Sequence, residues 1–300
     1  MAQSQAQLAA HQHGKSRVRL GRVWRVGNVH HFVEFNVATM LESDMEHAFL
    51  TDSNRGMTAT DTQKNSVYYV AKQLGARPCS PEEFGLALAR HFVDSYPDTV
   101  WKAKVSVEMM PWRRLDVNGQ PHDHGYVWQG SEIRTAYVTA DSKGKVEITA
   151  GLKDLKVLKT TQSGYSGFLH DKFTTLPDVG DRIVATSVTA NWRYSRPPAS
   201  YDAAYATVRQ ALTAAFYGPP RGGVFSPSVQ FTLYQMGKAA IDRVPEVESV
   251  FLNMPNLHFI PCVPVTTKSF DNDVYVATSE PHGNIEAVVT RAAAAPHCRL

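Results

Sequence analysis

From Arg17 to Glu42 apolar and polar residues alternate with a period of two, the signature of strands that bury one face; a polar segment, residues 1 to 14, precedes them. The period changes near Thr62, beyond which Val67, Val70, Ala71 and Leu74 fall on one side of a helix that Gly75 would close. Ser80, Pro81 and Glu83 predict the next helix start. The serine hydroxyl can accept from the backbone three residues on, the glutamate can reach back, and proline suits the first turn. Phe84, Leu88 and Phe92 form the buried stripe of that helix. Residues 102 to 109 then alternate strictly, with Ala103, Val105, Val107 and Met109 on one face, and Asn118-Gly119 suits a two-residue hairpin turn.

The second half repeats this order. Alternating segments at 145–159 and 182–194 lead into a helix from about Asp202, with Val208, Leu212 and Phe216 on one side, stopped by the breaker run Gly218 to Gly223. Ser226-Pro227 echoes Ser80-Pro81 and predicts another helix start, and alternation returns at 246–254, 273–279 and 284–290. Each half therefore reads ββααββ. Few strands with helices grouped between them predict an α+β fold, antiparallel sheets with helices on one face, rather than a parallel doubly wound sheet. Sheets so narrow expose their edges, which invites pairing between halves or subunits into a larger barrel. The turn Asp141-Ser142-Lys143-Gly144 marks the boundary, giving domains 1–143 and 144–300.

Composition narrows the function classes. A chain of 300 residues lies at the upper edge of what one core supports, in agreement with two domains. At 43% hydrophobic and 20% charged residues it is globular, and 31 basic against 28 acidic residues is too even for the footprint of a nucleic-acid binder. Cys79, Cys262 and Cys298 are far apart and form no CxxC pair, so neither a disulfide framework nor a thiolate zinc site is expected, and a reducing compartment is the simplest home. No run approaches the eighteen apolar residues of a membrane span, and the opening MAQSQAQLAAHQHGK lacks an apolar signal core.

The segment TATDTQKN, residues 58 to 65, is unusual because Thr60 and Asp61 stand where the first helix begins. Read alone, they serve as an N-cap. A helix start also offers unpaired backbone N–H groups and the positive end of the dipole, a place for a flat anionic heterocycle. Ser228-Val229-Gln230 opens the matching helix of the second half.

Six blocks, in order and spacing, resemble those of the urate oxidase family: HGKSRVRL (13–20), TATDTQKN (58–65), GYSGFLHDKFTTL (164–176), DRIVATSVTANWRY (181–194), SVQFTLYQM (228–236) and NMPNLHF (253–259). The resemblance spans nearly the whole chain and implies two tandem tunnelling-fold (T-fold) domains. It implies a homotetramer with sites shared between subunits, and oxidation of urate by molecular oxygen and water without a cofactor. Position by position, Lys15 matches the catalytic lysine, Thr60 the catalytic threonine, and His258 the histidine that completes the relay. The urate clamp falls on Arg182 and Gln230, with the backbone N–H groups of Asp61 and Val229 beside it and Asn256 over the ring. The stacking aromatic falls on Tyr165, where the family carries Phe; Phe168, three residues on, is the alternative.

The chemistry explains those residue types. Urate is a planar anion with adjacent carbonyl and N–H edges, which an arginine fork and a glutamine amide can address together. Ground-state oxygen reacts slowly with paired-electron organics, so an enzyme without metal or flavin must make the substrate electron-rich by removing a further proton. Lys15, hydrogen-bonded to Thr60, would act as that base if burial lowered its pKa. The implied products are 5-hydroxyisourate and hydrogen peroxide.

Outside the six blocks, His122-Asp123-His124 has the spacing of a metal pair on a strand, but no third ligand is identifiable, so no metal site is expected. Trp101, Trp112, Trp128 and Trp192 read as core or interface residues rather than stacking platforms. The terminal Cys298-Arg299-Leu300 resembles a small, basic, leucine peroxisomal import signal, which a receptor would read behind the Ala-rich lead-in AAAAPH. The competing readings are another tunnelling-fold enzyme acting on a pterin or a different purine, which bound zinc would favour, and a non-catalytic purine-binding assembly protein.

Overall fold

The computed structural model describes residues 6–263 and 269–292. Its chain divides into two compact units, Met1–Ala150 and Gly151–Leu300. The targeting tripeptide Cys298-Arg299-Leu300 lies outside the described residues.

The alternation from Arg17 to Glu42 is two long strands, β1 (His13–Val26) and β2 (Val29–Ser43), joined by a tight turn at Gly27. A short helix, α1 (Glu46–Leu50), precedes α2 (Thr60–Gln73) and α3 (Pro81–Ser95). Gly75, at φ +67°, ends α2 in the left-handed conformation that glycine adopts without a Cβ penalty. Both reciprocal bonds of the expected capping box open α3, Glu83 N to Ser80 Oγ at 3.1 Å and Ser80 N to Glu83 Oε2 at 2.8 Å. Strand β3 (Val100–Met109) follows. Asn118 and Gly119 at φ 53° and 78° form the turn between β4 (Trp112–Val117) and β5 (Gln120–Trp128). That hairpin is a two-stranded sheet of its own, added to the expected ββααββ order, and β6 (Ile133–Asp141) completes the unit in the strand order β1-β2-β3-β6. All these pairings are antiparallel.

Strand β7 (Val146–Lys159) runs from the end of the first unit into the second, where it and β8 (Val184–Tyr194) flank a long connection, followed by α4 (Tyr201–Tyr217) and α5 (Val229–Arg243). Helix α5 begins later than Ser226-Pro227 predicts. Ser228 is the N-cap, its hydroxyl accepting from Phe231 N at 3.1 Å, and Pro227 stands outside the helix. Strand β9 (Val247–Pro261) then carries two partners along one edge, β10 (Tyr275–Thr278) beside residues 258–261 and β11 (Asn284–Thr290) beside residues 249–255.

Each unit buries its core between strands and helices. Phe35, Leu41, Phe84, Leu88 and Phe92 are fully buried in the first, and Trp192, Leu212, Phe216, Leu233 and Met236 in the second. Close helix–sheet approach rests on one glycine per unit: a Cβ on Gly85 would lie 2.9 Å from Val138 Cγ2, and one on Gly237 2.6 Å from Val289 Cγ2. An arginine also closes a helix end in each unit. Arg22 donates to Gly75 O at 2.9 Å just beyond α2, and Arg291 to Ile241 O at 2.5 Å in the last turn of α5 and to Val244 O at 3.0 Å at its C-cap. Trp192 is core, whereas Trp101 and Trp128 are nearly half exposed. Among the described residues neither unit closes into a barrel, and the two-layer α+β architecture is consistent with tunnelling-fold domains.

Candidate active site

In the first unit Lys15 stands at a β-bulge. Lys15 pairs with Thr39 and Val18 with Val37, so β1 holds one extra residue, with Arg17 at φ 59°. A bulge re-aims side chains, which is why bulges recur beside active sites. Gly14 lets the two strands come this close, since a Cβ there would lie 1.9 Å from Thr39 O.

Helix α2 begins at Thr60, two residues before the apolar periodicity. Its N-cap is Ala59, which has no side-chain acceptor, so neither Thr60 nor Asp61 caps the helix. Both lie inside the first turn, whose leading N–H groups have no partner within the helix. Contacts from β1 and β2 fix the position of this start. His13 Nε2 lies 2.7 Å from Thr58 O, and buried Thr39 donates to Gln63 Oε1 at 2.7 Å while accepting from Lys15 N at 3.4 Å. Thr39, and Gln63 as a buried anchor, have no local sequence signal; their partner lies 24 residues away.

The Asp61 carboxylate is engaged by Lys64 at 2.5 Å and by Asn65 at 2.9 Å. The hydrogen bond from Lys64 lowers its pKa most. Lys15 is tied to this helix start through Thr39, which accepts from Lys15 N and donates to Gln63 in the first turns of α2. Among the described residues no hydrogen bond joins Lys15 to Thr60.

In the second unit the connection between β7 and β8 is held by main-chain pairing. Gly164 N donates to Ser226 O at 2.9 Å and Ser226 N to Gln162 O at 2.9 Å; Tyr165 and Val179 exchange both of their bonds; and Arg182 N donates to Ser163 O at 2.8 Å. These bonds bring Tyr165 and Arg182 beside the approach to α5, where Val229 is buried and Gln230 exposed. The Arg182 guanidinium lies over the Tyr165 ring, 5.3 Å from its centroid, and burial pushes its pKa down. Arg182 Nε is buried with no hydrogen-bond partner among the described residues, a donor that a ligand would satisfy. Tyr165 stacks on Phe168 at 4.7 Å and Phe168 on His170 at 4.4 Å, so both aromatic candidates belong to one column, with Tyr165 next to the arginine.

Asn256 and His258 sit two apart on β9 and therefore share a face. Asn256 pairs with Thr186 of β8 and His258 with Thr278 of β10, and both side chains are half-buried.

His122 has a local use: its Nδ1 accepts from His124 N at 3.2 Å and Gly125 N at 2.9 Å. No group of three His, Cys, Asp or Glu side chains among the described residues is arranged to hold a metal ion.

The uricase family model matches residues 11–139 and 148–286. Uricase-2 isozyme 1 of Glycine max is 45% identical over 293 residues, covering 93% of this chain and 94% of that protein. The chain belongs to the uricase family. The uricase of Arabidopsis thaliana is 43% identical over 295 residues, covering 93% of this chain and 94% of its own. Among solved structures, the uricase of Arthrobacter globiformis superposes with a TM-score of 0.87 at 36% identity, covering 98% of this chain and 99% of that one. Both family segments contain their share of the residues described above, Lys15, Thr60 and Asp61 in one and Tyr165, Arg182, Val229, Gln230, Asn256 and His258 in the other.

Proposed function

We propose that this chain carries out the reaction of its family, the conversion of urate, oxygen and water to 5-hydroxyisourate and hydrogen peroxide, at a site assembled from the two clusters. The observation that carries the assignment is Arg182. It is half-buried and stacked over Tyr165, with one guanidinium N–H unsatisfied, and main-chain bonds hold it beside the start of α5. Its fork and the Gln230 amide address one edge of the planar urate anion, while Tyr165 offers the stacking face. The Tyr165 hydroxyl, absent from the phenylalanine usual in the family, has no hydrogen-bond partner among the described residues. The N–H groups of Asp61 and Val229, each in the first turn of its helix, donate to the carbonyl edges.

Lys15, with Thr60, removes the second proton from bound urate and leaves an electron-rich dianion able to transfer electrons to oxygen. Asn256 flanks the place above the ring where oxygen and then water sit, and His258 links that place to Lys15. Water adds to the oxidised ring carbon as hydroxide, and two electrons and two protons leave on oxygen as peroxide. No metal or flavin enters this scheme.

The lysine cluster and the clamp belong to different units of the chain. On the family resemblance, the assignment includes a homotetramer in which one subunit's Lys15 and Thr60 complete a site with its neighbour's Arg182. It also places the enzyme in the peroxisome, delivered by an import receptor that reads Cys298-Arg299-Leu300.

The test is urate's ultraviolet absorbance, followed with pure protein after exhaustive chelation. Loss of absorbance with one peroxide formed per urate is expected. Activity that disappears on chelation and returns with zinc or copper would contradict the scheme.

A further inference from the structure

Lys159, the last residue of β7, has none of the roles assigned above. Its ammonium donates to Phe216 O at 3.3 Å, Val224 O at 2.6 Å and Ser226 Oγ at 2.8 Å, so each of its three N–H groups has an acceptor. It also lies 5.5 Å from the centre of the Phe216 ring. Burial pushes its pKa below the usual lysine value. A solvated strand-end lysine would make none of these bonds.

These acceptors lie in and beside the turn between α4 and α5. Val224 N donates to Tyr217 O at 3.2 Å, and Gly218, at φ 72°, would place a Cβ only 2.6 Å from Val224 N. The fold is tight enough that two carbonyls and a serine oxygen converge on one point, which is unfavourable without a cation between them. Ser226 then passes the constraint on. Its oxygen also accepts from Thr232 of α5 at 2.6 Å, and its backbone pairs with Gln162 and Gly164, while Ser163 O accepts from Arg182 N. From the ammonium, one bonded residue leads to α5 and the next to the peptide that holds Arg182.

We infer that Lys159 is a positioning residue for urate: it locks the 217–226 turn against the end of β7 and so sets the spacing between Arg182 with Tyr165 and the α5 start with Val229 and Gln230. The inference rests on the reading in which Arg182 and Gln230 clamp urate. Lys159 touches no substrate itself, and the proton-removing residues lie in the other unit.

The test compares full-length K159M, K159R and R182K with the parent, each checked for melting temperature and subunit assembly. The readouts are the KM and kcat for urate and the Kd for xanthine, which keeps urate's six-membered ring but lacks its third carbonyl. In K159M the urate KM and xanthine Kd should rise about tenfold while kcat falls less than about threefold, since misplacement of a clamp weakens binding before chemistry. K159R, which keeps the cation, should recover most of the loss. A parental KM in K159M, or a fall in kcat alone, overturns the inference. If R182K also binds like the parent, the clamp reading fails with it; if R182K binds weakly and K159M does not, only the inference fails. Should K159M fail to assemble, S226A decides, because it removes one acceptor and no charge: a raised KM supports the inference and a parental KM overturns it.

Discussion

The first turns of α2 and α5 occupy matching places in the two halves, yet they are built differently. Helix α2 starts after Ala59, with no side chain to satisfy its leading N–H groups, whereas Ser228 caps α5 by accepting from Phe231 N. An alanine in place of a capping residue costs about 1 kcal/mol. At α2 that cost is accepted and the start is fixed from outside, through the contacts of His13 and Gln63. At α5 the cap reaches the third helical residue and leaves the N–H groups of Val229 and Gln230 unpaired within the helix. Both starts therefore present donors, the first by omitting the cap and the second because a serine cap on the third helical N–H leaves the two before it free. The cations differ as well. Lys15 stands on a bulged strand near the chain's beginning, while Arg182 is held by main-chain bonds in a paired connection. Among the described residues the Lys15 side chain makes no hydrogen bond, which suits it to moving protons, while Arg182 is stacked on Tyr165, which suits it to fixing geometry.

Turnover should respond most strongly to that division. K15M should lower kcat by about 10²- to 10⁴-fold, the usual contribution of a positioned base, with xanthine affinity close to the parent's. Steady-state kinetics and titration together check this, and weakened xanthine binding at normal kcat would exchange the two roles. R182K comes next. A point charge cannot reproduce a planar fork, so the xanthine Kd should rise by an amount worth roughly 1.5–3 kcal/mol. A Kd equal to the parent's, measured by titration, would remove Arg182 from the clamp.

Smaller effects separate the helix starts directly. S228A should cost about 1 kcal/mol of stability in chemical denaturation. A59S, which supplies the missing cap, should give a stability change of at most about 1 kcal/mol in the other direction and raise the urate KM, because the new hydroxyl competes for N–H groups reserved for the ligand. A stabilised A59S with unchanged KM would mean that the α2 start binds nothing.

Features fixed by neighbouring residues are legible in the sequence. The Ser80–Glu83 box, the Asn118-Gly119 turn and the alternation of Ala103 to Met109 each depend on contacts a few residues apart, and each is present. Ser226-Pro227 misleads by two residues because the same cue precedes a second serine, and the hydroxyl of Ser228, not that of Ser226, meets the helix. Ser226 is drawn instead to Ser163, across a sequence gap that no local pattern records. The bulge after Lys15 has no local cue, since Arg17 in a left-handed conformation is favoured only by the strand it pairs with. Thr39, Gln63 and Lys159 escape a local reading for the same reason, their partners being distant in the chain. The candidate residues themselves are legible through the six blocks, and the structure adds how Arg182 meets Tyr165 and how Thr39 ties Lys15 to the start of α2.

Everything proposed for the reaction depends on the lysine of one subunit and the arginine of its neighbour serving one site. Co-assembling K15A with R182A, each nearly inactive alone, and assaying purified mixed tetramers for urate oxidation tests this most directly. Activity should partly return, because some interfaces join an intact Lys15 to an intact Arg182. Mixed tetramers that form and yet stay at the level of their two parents would contradict a shared site.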